Sequence, residues 1–300
     1  MSMIVSCVKT KGYQWYSNNK IYFKGYLQLE NSKVFRGEEA IAYLEGFTNF
    51  SDFKAMLKHN MGCFSIIINN HNCVWAAVDI ARSMPLYYSD NLDMISDSAE
   101  AIRKKKRMNH RQTNTTRALE MYATSYISDE NTIYDSIKQI HIGNAIEIKN
   151  GRLKKEPYFI HYEKTKEYTY NEAKNILYEK TAHMLERMLK VIDGRPIVIS
   201  LSGGYDSRYL VCSLKKYGVK NVICYTYGKE NSFEIKQSKL VADALGYEWH
   251  QVEYDKSDIK SILKNGEEYF AYCNEHDYIV YIQNYLAVKT LSEKRLIPKD

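Results

Sequence analysis

The second half of the chain alternates short apolar runs with longer amphipathic stretches. Pro196 is followed by Ile197, Val198 and Ile199, and such a run of β-branched residues is typical of a buried parallel strand. Beyond it, hydrophobic spacing and terminal glycines predict helices over 208–216 and 232–245 and strands over 222–227 and 248–253. Helical crossovers between strands give a parallel sheet with its ligand at the carboxyl ends of the strands. We therefore expect an α/β parallel-sheet domain.

The first half of the chain has apolar runs that are mostly separated by tight turns. The pattern predicts strands over 3–8, 20–29, 63–68, 73–78 and 87–88, a hairpin over 145–154, and helices over 38–44, 52–58 and 115–125. This mixture predicts an α+β domain built on an antiparallel sheet.

A polar linker over 163–167 joins the two halves. It leads into a capping box, Thr169 with Glu172, that opens a long amphipathic helix ending near Val191. We place the domain boundary near residue 160, so the expected domains are 1–160 and 161–300.

Composition indicates a globular protein, since 45% of the 300 residues are apolar and 26% are charged. The net charge is only +6, and a basic run over 103–107, with His110 and Arg111, supplies much of it. No aromatic residues are interleaved with this run, so we expect a solvated basic loop and no nucleic-acid partner. The six cysteines form no C-x-x-C pair, which predicts reduced thiols and no zinc.

No apolar segment approaches the length of a membrane span, and the amino terminus lacks the basic and apolar regions of a signal peptide. We expect a cytoplasmic protein with no membrane partner. Its oligomeric state stays open, with a homodimer among the alternatives.

The candidate chemistry lies in the loop over 202–207, between the 197–199 strand and a helix expected to begin at Asp206 or Ser207. Two glycines can bring backbone N–H groups close to an anion, the helix points its positive end at the same place, and the hydroxyls of Ser202 and Ser207 add donors. No lysine follows the loop, and no Gly-x-Gly-x-x-Gly is present, so the two commonest nucleotide motifs are excluded. A carboxylate beside phosphates needs a bridging cation, so Asp206 predicts Mg²⁺.

The run Ser202-Gly203-Gly204-Tyr205-Asp206-Ser207 resembles the SGGxDS loop of the PP-loop ATP pyrophosphatases. The resemblance implies that the loop holds the pyrophosphate released when a substrate carboxylate attacks the α-phosphate of ATP and forms an acyl-adenylate. It implies ATP contacts from all of these residues except Tyr205, catalytic roles for Asp206 and Ser207, and a magnesium ligand in Asp206. It also implies that the end of the next strand, Thr226, Tyr227 and Gly228, receives the adenine, although core packing explains the tyrosines of that strand equally well.

The first half resembles the amidotransferase domain of the asparagine synthetase family. The resemblance is carried by Gly62–Ile68, Asp79, Arg82–Tyr88, Ile95–Ser98, Thr132–Tyr134, Ile140, Gly143 and Tyr158-Phe159. It implies an N-terminal-nucleophile (Ntn) hydrolase-like antiparallel domain, related to class II glutamine amidotransferases. The PP-loop domain that follows would be of the adenine nucleotide alpha hydrolase-like kind.

The sequence departs from that family where glutamine would be split. The family uses an N-terminal cysteine whose own amine is the general base, but position 2 is Ser2, and Cys7 would qualify only after removal of six residues. A serine alkoxide is much harder to form than a thiolate at neutral pH. The family's Asn-Gly-Glu motif falls near Lys24-Gly25-Tyr26-Leu27, which keeps only the glycine. We therefore expect a structural first domain without glutaminase activity.

Two further expectations concern the far end of the chain. A second glycine- and acid-rich loop, which completes the magnesium site in related synthetases, does not appear before Asp300, and we expect a truncated chain. Glu275, His276 and Asp277 are either substrate or metal contacts or, as we prefer, part of the N-terminal cap of a helix over 278–291.

Taken together, the two resemblances imply an asparagine-synthetase-like, AMP-forming ligase. It would adenylate a small-molecule carboxylate with MgATP and form an amide with a nitrogen donor. A non-catalytic nucleotide-binding scaffold is the alternative, and a PP-loop enzyme that modifies tRNA through the basic run is a third. The sequence does not identify the carboxylate or the nitrogen source.

Overall fold

The computed structural model of the chain describes residues 3–8, 13–70, 73–109, 112–161, 165–266, 269, 277–279 and 282–298. The chain forms two compact units. Unit 1 comprises Met1–Lys166 and Tyr272–Ile279, and unit 2 comprises Glu167–Ala271 and Val280–Asp300. The division thus falls at Lys166, near the expected boundary at 160, and a short segment from late in the chain belongs with unit 1.

Unit 1 contains eleven of the described strands and four helices. The strands are β1 (Ile4–Ser6), β2 (Trp15–Ser17), β3 (Ile21–Gln28), β4 (Val34–Arg36), β5 (Met61–Asn70), β6 (Cys73–Val78), β7 (Tyr87–Ser89), β8 (Met94–Ser96), β9 (Ile137–Gln139), β10 (Asn144–Lys149) and β11 (Arg152–Pro157). The helices are α1 (Gly37–Leu44), α2 (Phe50–His59), α3 (Ala99–Lys105) and α4 (Thr115–Thr124).

The strands of unit 1 form two sheets rather than one. The larger has the order β11-β10-β6-β5-β3-β2, with β4 also paired to β3, and is antiparallel throughout. The smaller has the order β1-β8-β7-β9, in which the β1–β8 pair is parallel. The antiparallel prediction therefore holds except for this one pair, because the alternation of apolar and polar residues in a strand does not show the direction of its partner.

Apolar side chains hold unit 1 in four layers. Helices α1 and α2 pack on one face of the larger sheet through Leu44, Phe53 and their neighbours. Residues such as Ile67 and Tyr88 fill the space between the two sheets. Helix α3 covers the outer face of the smaller sheet through Ile102. Alternate residues of β5 serve different layers, because Ile66 and Ile68 join the helix-side core while Ile67 points to the other sheet.

The first three residues of the basic run lie in a helix and not in a loop. Arg103, Lys104 and Lys105 form the last turn of α3, where cations interact favourably with the helix dipole. Arg103 pairs with Glu100, and Lys106 pairs with Asp93. His110 and Arg111 lie outside the described residues. The expectation of a solvated loop was wrong because the helix begins at Ala99, before the charges.

Unit 2 is a three-layer α/β structure. Its elements are α5 (Tyr170–Ile192), β12 (Ile197–Ser200), α6 (Tyr205–Lys216), β13 (Val222–Gly228), α7 (Phe233–Leu245), β14 (Glu248–Glu253), α8 (Lys256–Asn265) and α9 (Ile282–Glu293). The strands run parallel, as the sequence pattern predicts, and the structure places them in the order β12-β13-β14. Cys224 faces a core shared with α5, α6 and α7, while the adjacent Tyr225 faces a core shared with α8 and α9. No helix in the described part of the chain has both the length and the hydrophobicity to cross a membrane.

The helix expected over 278–291 instead begins at Ile282. Before it, Tyr278 forms a β-bridge with Tyr126, and the amide of Ile279 donates to the carbonyl of Ser125. Asp277 is therefore not a helix cap, because it is buried in unit 1 and pairs there with Arg82. Glu275 and His276 lie outside the described residues.

Candidate functional site

The loop over 202–207 is fixed to the sheet at its start. The amide of Leu201, directly after β12, donates to the carbonyl of Tyr225 at 2.8 Å. The hydroxyl of Thr226 donates to the carbonyl of Leu201 at 2.7 Å. Both bonds join the end of β12 to β13, so the loop leaves the sheet from a defined position.

The two serines of the loop bind each other. The Ser202 amide donates to Ser207 Oγ at 3.1 Å, and the two hydroxyl oxygens are 2.9 Å apart. The Gly204 amide donates to Ser202 Oγ at 3.1 Å. The hydroxyls expected to contact phosphate thus also hold the loop in its present form.

The two glycines of the loop do not have the special backbone conformations that their motif suggested. Neither Gly203 nor Gly204 has the positive φ that only glycine adopts readily. A Cβ atom on Gly203 would lie 3.6 Å from Glu234 Cα, which is an ordinary contact, whereas one on Gly204 would lie 3.2 Å from Ser202 Oγ. A side chain would therefore be crowded at Gly204 but would fit at Gly203.

Helix α6 begins without a side-chain cap. Its N-cap is Gly204, and no side chain in the described part of the chain accepts from its first-turn amides. By contrast, Thr169, Ser232 and Asp255 cap α5, α7 and α8. The first amides of a helix have no partner within the helix and need a side chain, water or a ligand. At α6 they are left for solvent or an anion, beside the loop that the sequence singled out.

Asp206 lies in the first turn of α6, which begins at Tyr205, one or two residues before the expected start. Its side chain is exposed, and no residue in the described ranges forms an ion pair or hydrogen bond with it. Within those ranges no group of three or more His, Cys, Asp or Glu residues could hold a metal. A magnesium ion is commonly bound by one or two carboxylates together with phosphate oxygens, so Asp206 fits Mg²⁺ only alongside a phosphate ligand.

The carboxyl end of β13 extends past the end of β12. Pairing with β12 ends at Ser200 and Tyr225, whereas pairing with β14 continues to Gly228 and Glu253. Thr226, Tyr227 and Gly228 therefore continue beyond the end of β12, where the chain turns into the loop. This places the two predicted sets of site residues at the same edge of the sheet.

The side chains of that strand end are largely used for packing. The Thr226 hydroxyl is buried, lies 2.7 Å from Ser238 Oγ and accepts from Trp249 Nε1. The Tyr227 ring stacks on Tyr254 with 5.6 Å between centroids. Core packing thus accounts for the Thr226 hydroxyl and for one face of the partly buried Tyr227 ring, and the backbone of the segment is left for a ligand.

One residue beside the loop was not singled out from the sequence. Arg208 Nε donates to the carbonyl of Gly204 at 3.1 Å, and its guanidinium lies 4.7 Å from the centre of the Tyr205 ring. The sequence did contain a signal for this contact, since Arg208 follows Gly204 by four residues. Side chains in a helix lean toward its N-terminus, so a residue at that spacing can reach back to Gly204.

Of the two residues in unit 1 that could serve as the glutaminase nucleophile, the structure describes only Cys7. Ser2 lies outside the described residues. Burial, together with the nearby charge of Asp97, raises the pKa of the Cys7 thiol to about 12, so the thiol is protonated at neutral pH. Protonated thiols are poor nucleophiles.

The Lys24–Leu27 segment lies within β3, and its first residue forms an internal ion pair. Lys24 is 6% exposed and its Nζ donates to Asp97 Oδ2 at 3.1 Å. Trp15 Nε1 donates to the same oxygen, and the Val8 amide donates to Oδ1. Gly25 has φ +96°, and a Cβ there would lie 2.0 Å from the Cys63 carbonyl oxygen. The glycine is thus required by its positive φ and by the close approach of the Cys63 carbonyl.

Comparison with known proteins gives one family match. Residues 180–270 match the family model of asparagine synthase. The matched segment includes β12, the loop, β13 and β14. No curated protein matches the chain.

Similar solved structures include glutamine phosphoribosylpyrophosphate amidotransferase from B. subtilis, in complex with ADP and GMP, at 10% identity and a TM-score of 0.30. A second, titled the allosteric regulatory enzyme of purine biosynthesis, has 11% identity and a TM-score of 0.26. The alignments cover 82% and 84% of this chain, which spans about half of each solved chain, 51% and 52%. Likeness at such TM-scores supports no conclusion about fold or activity.

Proposed function

We propose that unit 2 is the ATP-binding domain of an asparagine-synthetase-like ligase that activates a carboxylate and converts it to an amide. The observation that carries this proposal is the uncapped N-terminus of α6, directly after Ser202-Gly203-Gly204 and beside the protruding end of β13. The family match over 180–270 supports it, since the match suggests an amidation-type ligase that uses ATP.

In this proposal the chain contributes binding and charge stabilisation. The first-turn amides of α6 donate to the pyrophosphate part of ATP, and Ser202 and Ser207 exchange part of their mutual hydrogen bonding for phosphate contacts. The backbone of Tyr227 and Gly228 receives the adenine. Mg²⁺, held by Asp206 and phosphate oxygens, would neutralise charge on the leaving pyrophosphate.

The reaction would proceed in two balanced steps. A carboxylate oxygen attacks the α-phosphorus, the bond to the β-phosphate oxygen breaks, and pyrophosphate leaves. A nitrogen nucleophile then attacks the acyl carbon, loses a proton, and displaces AMP. The chain therefore requires a small-molecule carboxylate and a nitrogen donor as partners.

We further propose that unit 1 is an Ntn-type, glutamine amidotransferase-like domain without glutaminase activity. Its helix–sheet–sheet–helix layering supports the first part. The protonated Cys7 and the internal Lys24–Asp97 ion pair support the second. The nitrogen would then come from ammonia or an amine substrate.

Calorimetric titration with MgATP tests the proposal. The unchanged chain should bind, and Asp206→Ala should bind at least about tenfold more weakly, because the variant loses a magnesium ligand. Asp243→Ala is the matched control, since Asp243 is also an exposed helical aspartate of unit 2. Equal affinity in all three proteins would contradict a nucleotide site at this loop.

A second measurement separates a ligase from a nucleotide-binding scaffold. Pyrophosphate release from ATP is followed while carboxylic acids are added singly. Release that depends on one acid marks a ligase, whereas MgATP binding without release for any acid tested favours the scaffold.

A further inference from the structure

A cation lies beside the loop over 202–207, although no lysine follows that loop in the sequence. Arg208 is the fourth residue of α6, and its side chain reaches back to the Gly204 carbonyl. This direction is expected, because helical side chains lean toward the N-terminus of their helix. The guanidinium therefore lies beside the first turn of α6.

Much of the hydrogen-bonding capacity of Arg208 is unused. The guanidinium has five N–H donors, and its one hydrogen bond within the described ranges uses Nε. No carboxylate in those ranges forms an ion pair with Arg208, and the residue is only partly buried. The donors on the two Nη atoms can therefore bind a ligand.

Tyr205 holds the guanidinium in place. Its ring is 85% exposed, so it contributes little to the core of unit 2, and it lies within cation–π distance of Arg208. The Arg208 guanidinium is thus restrained twice before any ligand binds, by its hydrogen bond to the Gly204 carbonyl and by its contact with the Tyr205 ring. A restrained guanidinium loses less conformational freedom on binding than a free one.

We infer that Arg208 binds the phosphate groups of the nucleotide and serves as the cation that the loop itself lacks. The inference rests on the proposed function and extends it to a residue outside the SGGxDS motif. A guanidinium binds phosphate oxygens through two parallel hydrogen bonds, which a lysine cannot reproduce. Tyr205 is a positioning residue in this arrangement.

Titration with inorganic pyrophosphate in the presence of Mg²⁺ tests the inference. Arg208→Gln should weaken binding about tenfold, since it removes charge-assisted hydrogen bonds. Arg208→Lys should fall between Arg208→Gln and the unchanged chain, because it keeps the charge without the planar donors. Tyr205→Leu should weaken binding about two- to fivefold, the range expected for loss of an exposed cation–π contact.

Arg195→Gln is the matched control. Arg195 lies in the same unit, and it also donates to backbone carbonyls, those of Val191 and Ile192, at the end of α5. Its replacement removes the same charge and should leave pyrophosphate affinity unchanged. Circular dichroism is used to check that each variant is folded. If Arg208→Gln does not fold, the pyrophosphate affinity of Arg208→Lys tests the inference.

The outcomes separate this inference from the proposed function. If both arginine variants bind pyrophosphate like the unchanged chain while Asp206→Ala loses MgATP affinity, the role of Arg208 is wrong and the nucleotide site stands. If the unchanged chain binds neither pyrophosphate nor MgATP, both are wrong.

Discussion

Arg82 and Asp277 form an ion pair within unit 1 although they are 195 positions apart in the sequence. Asp277 is 2% exposed and also accepts from the hydroxyl of the fully buried Tyr87 at 2.9 Å. Arg82 also donates to Gln139. A segment from late in the chain is thus held in unit 1 by buried charge as well as by the β-bridge of Tyr278 with Tyr126.

We predict that Asp277→Asn destabilises this attachment by about 3 kcal/mol, because it leaves the Arg82 cation without a buried counter-charge. The sensitive readout is amide hydrogen exchange at Ile127, whose N–H donates to the Asp277 carbonyl at 2.8 Å. Exchange there should become faster in the variant. Asp243→Asn is the control, because its exposed pair with Lys239 contributes less than about 1 kcal/mol. Similar exchange in both variants would show that the buried pair does not hold the segment.

The Thr226 hydroxyl should matter for both stability and nucleotide affinity. It connects the loop start at Leu201 to Ser238 and Trp249, so Thr226→Val leaves buried polar groups unpaired at a cost of about 1–3 kcal/mol. Urea unfolding should show this loss, and MgATP affinity should fall because the loop is no longer held. Thr181→Val, a partly buried threonine of α5, is the control and should change neither quantity appreciably. Full MgATP affinity in Thr226→Val would mean that the loop is positioned by other contacts.

Substitutions at three glycines should have graded effects. Gly203→Ala should fold normally, because the new Cβ makes only ordinary contacts, whereas Gly204→Ala crowds the Ser202 hydroxyl and should reduce MgATP affinity more than stability. Gly25→Ala combines positive φ with a backbone clash and should prevent unit 1 from folding. Thermal unfolding and MgATP titration rank the three variants by stability and by MgATP affinity. A severe folding defect in Gly203→Ala would contradict the backbone conformation described for the loop.

The sequence pattern was sufficient for the elements around the loop, because β-branched runs and glycine-terminated helices are local signals. It was insufficient for β4, β8 and β9, since three residues cannot show a period of two. It could not reveal the Arg82–Asp277 pair, which depends on a long-range contact. The role of the loop glycines was mistaken because a motif specifies residue types and not φ angles. Arg208 was missed because the direction of its side chain depends on where α6 begins.

The Cys7 thiol of unit 1 should react only slowly with alkylating reagents. Burial raises the pKa of the Cys7 thiol to about 12, so little thiolate is present at pH 8 and alkylation by iodoacetamide should be very slow. Cys212 is an exposed free cysteine in the same chain and provides the internal control. Peptide mapping after brief alkylation should therefore show modification at Cys212 and almost none at Cys7.

The same argument extends to glutamine. Since the Cys7 thiol is protonated and Lys24 is bound to Asp97, incubation with glutamine should release no glutamate above the uncatalysed background. Lys24→Asn, which restores the amide of the family motif, should not create activity, because it supplies no nucleophile and leaves Asp97 without its cation. Rapid alkylation of Cys7, or glutamate release that Cys7→Ala abolishes, would show that unit 1 retains a functional thiol. The nitrogen source proposed for the ligase would then have to be glutamine.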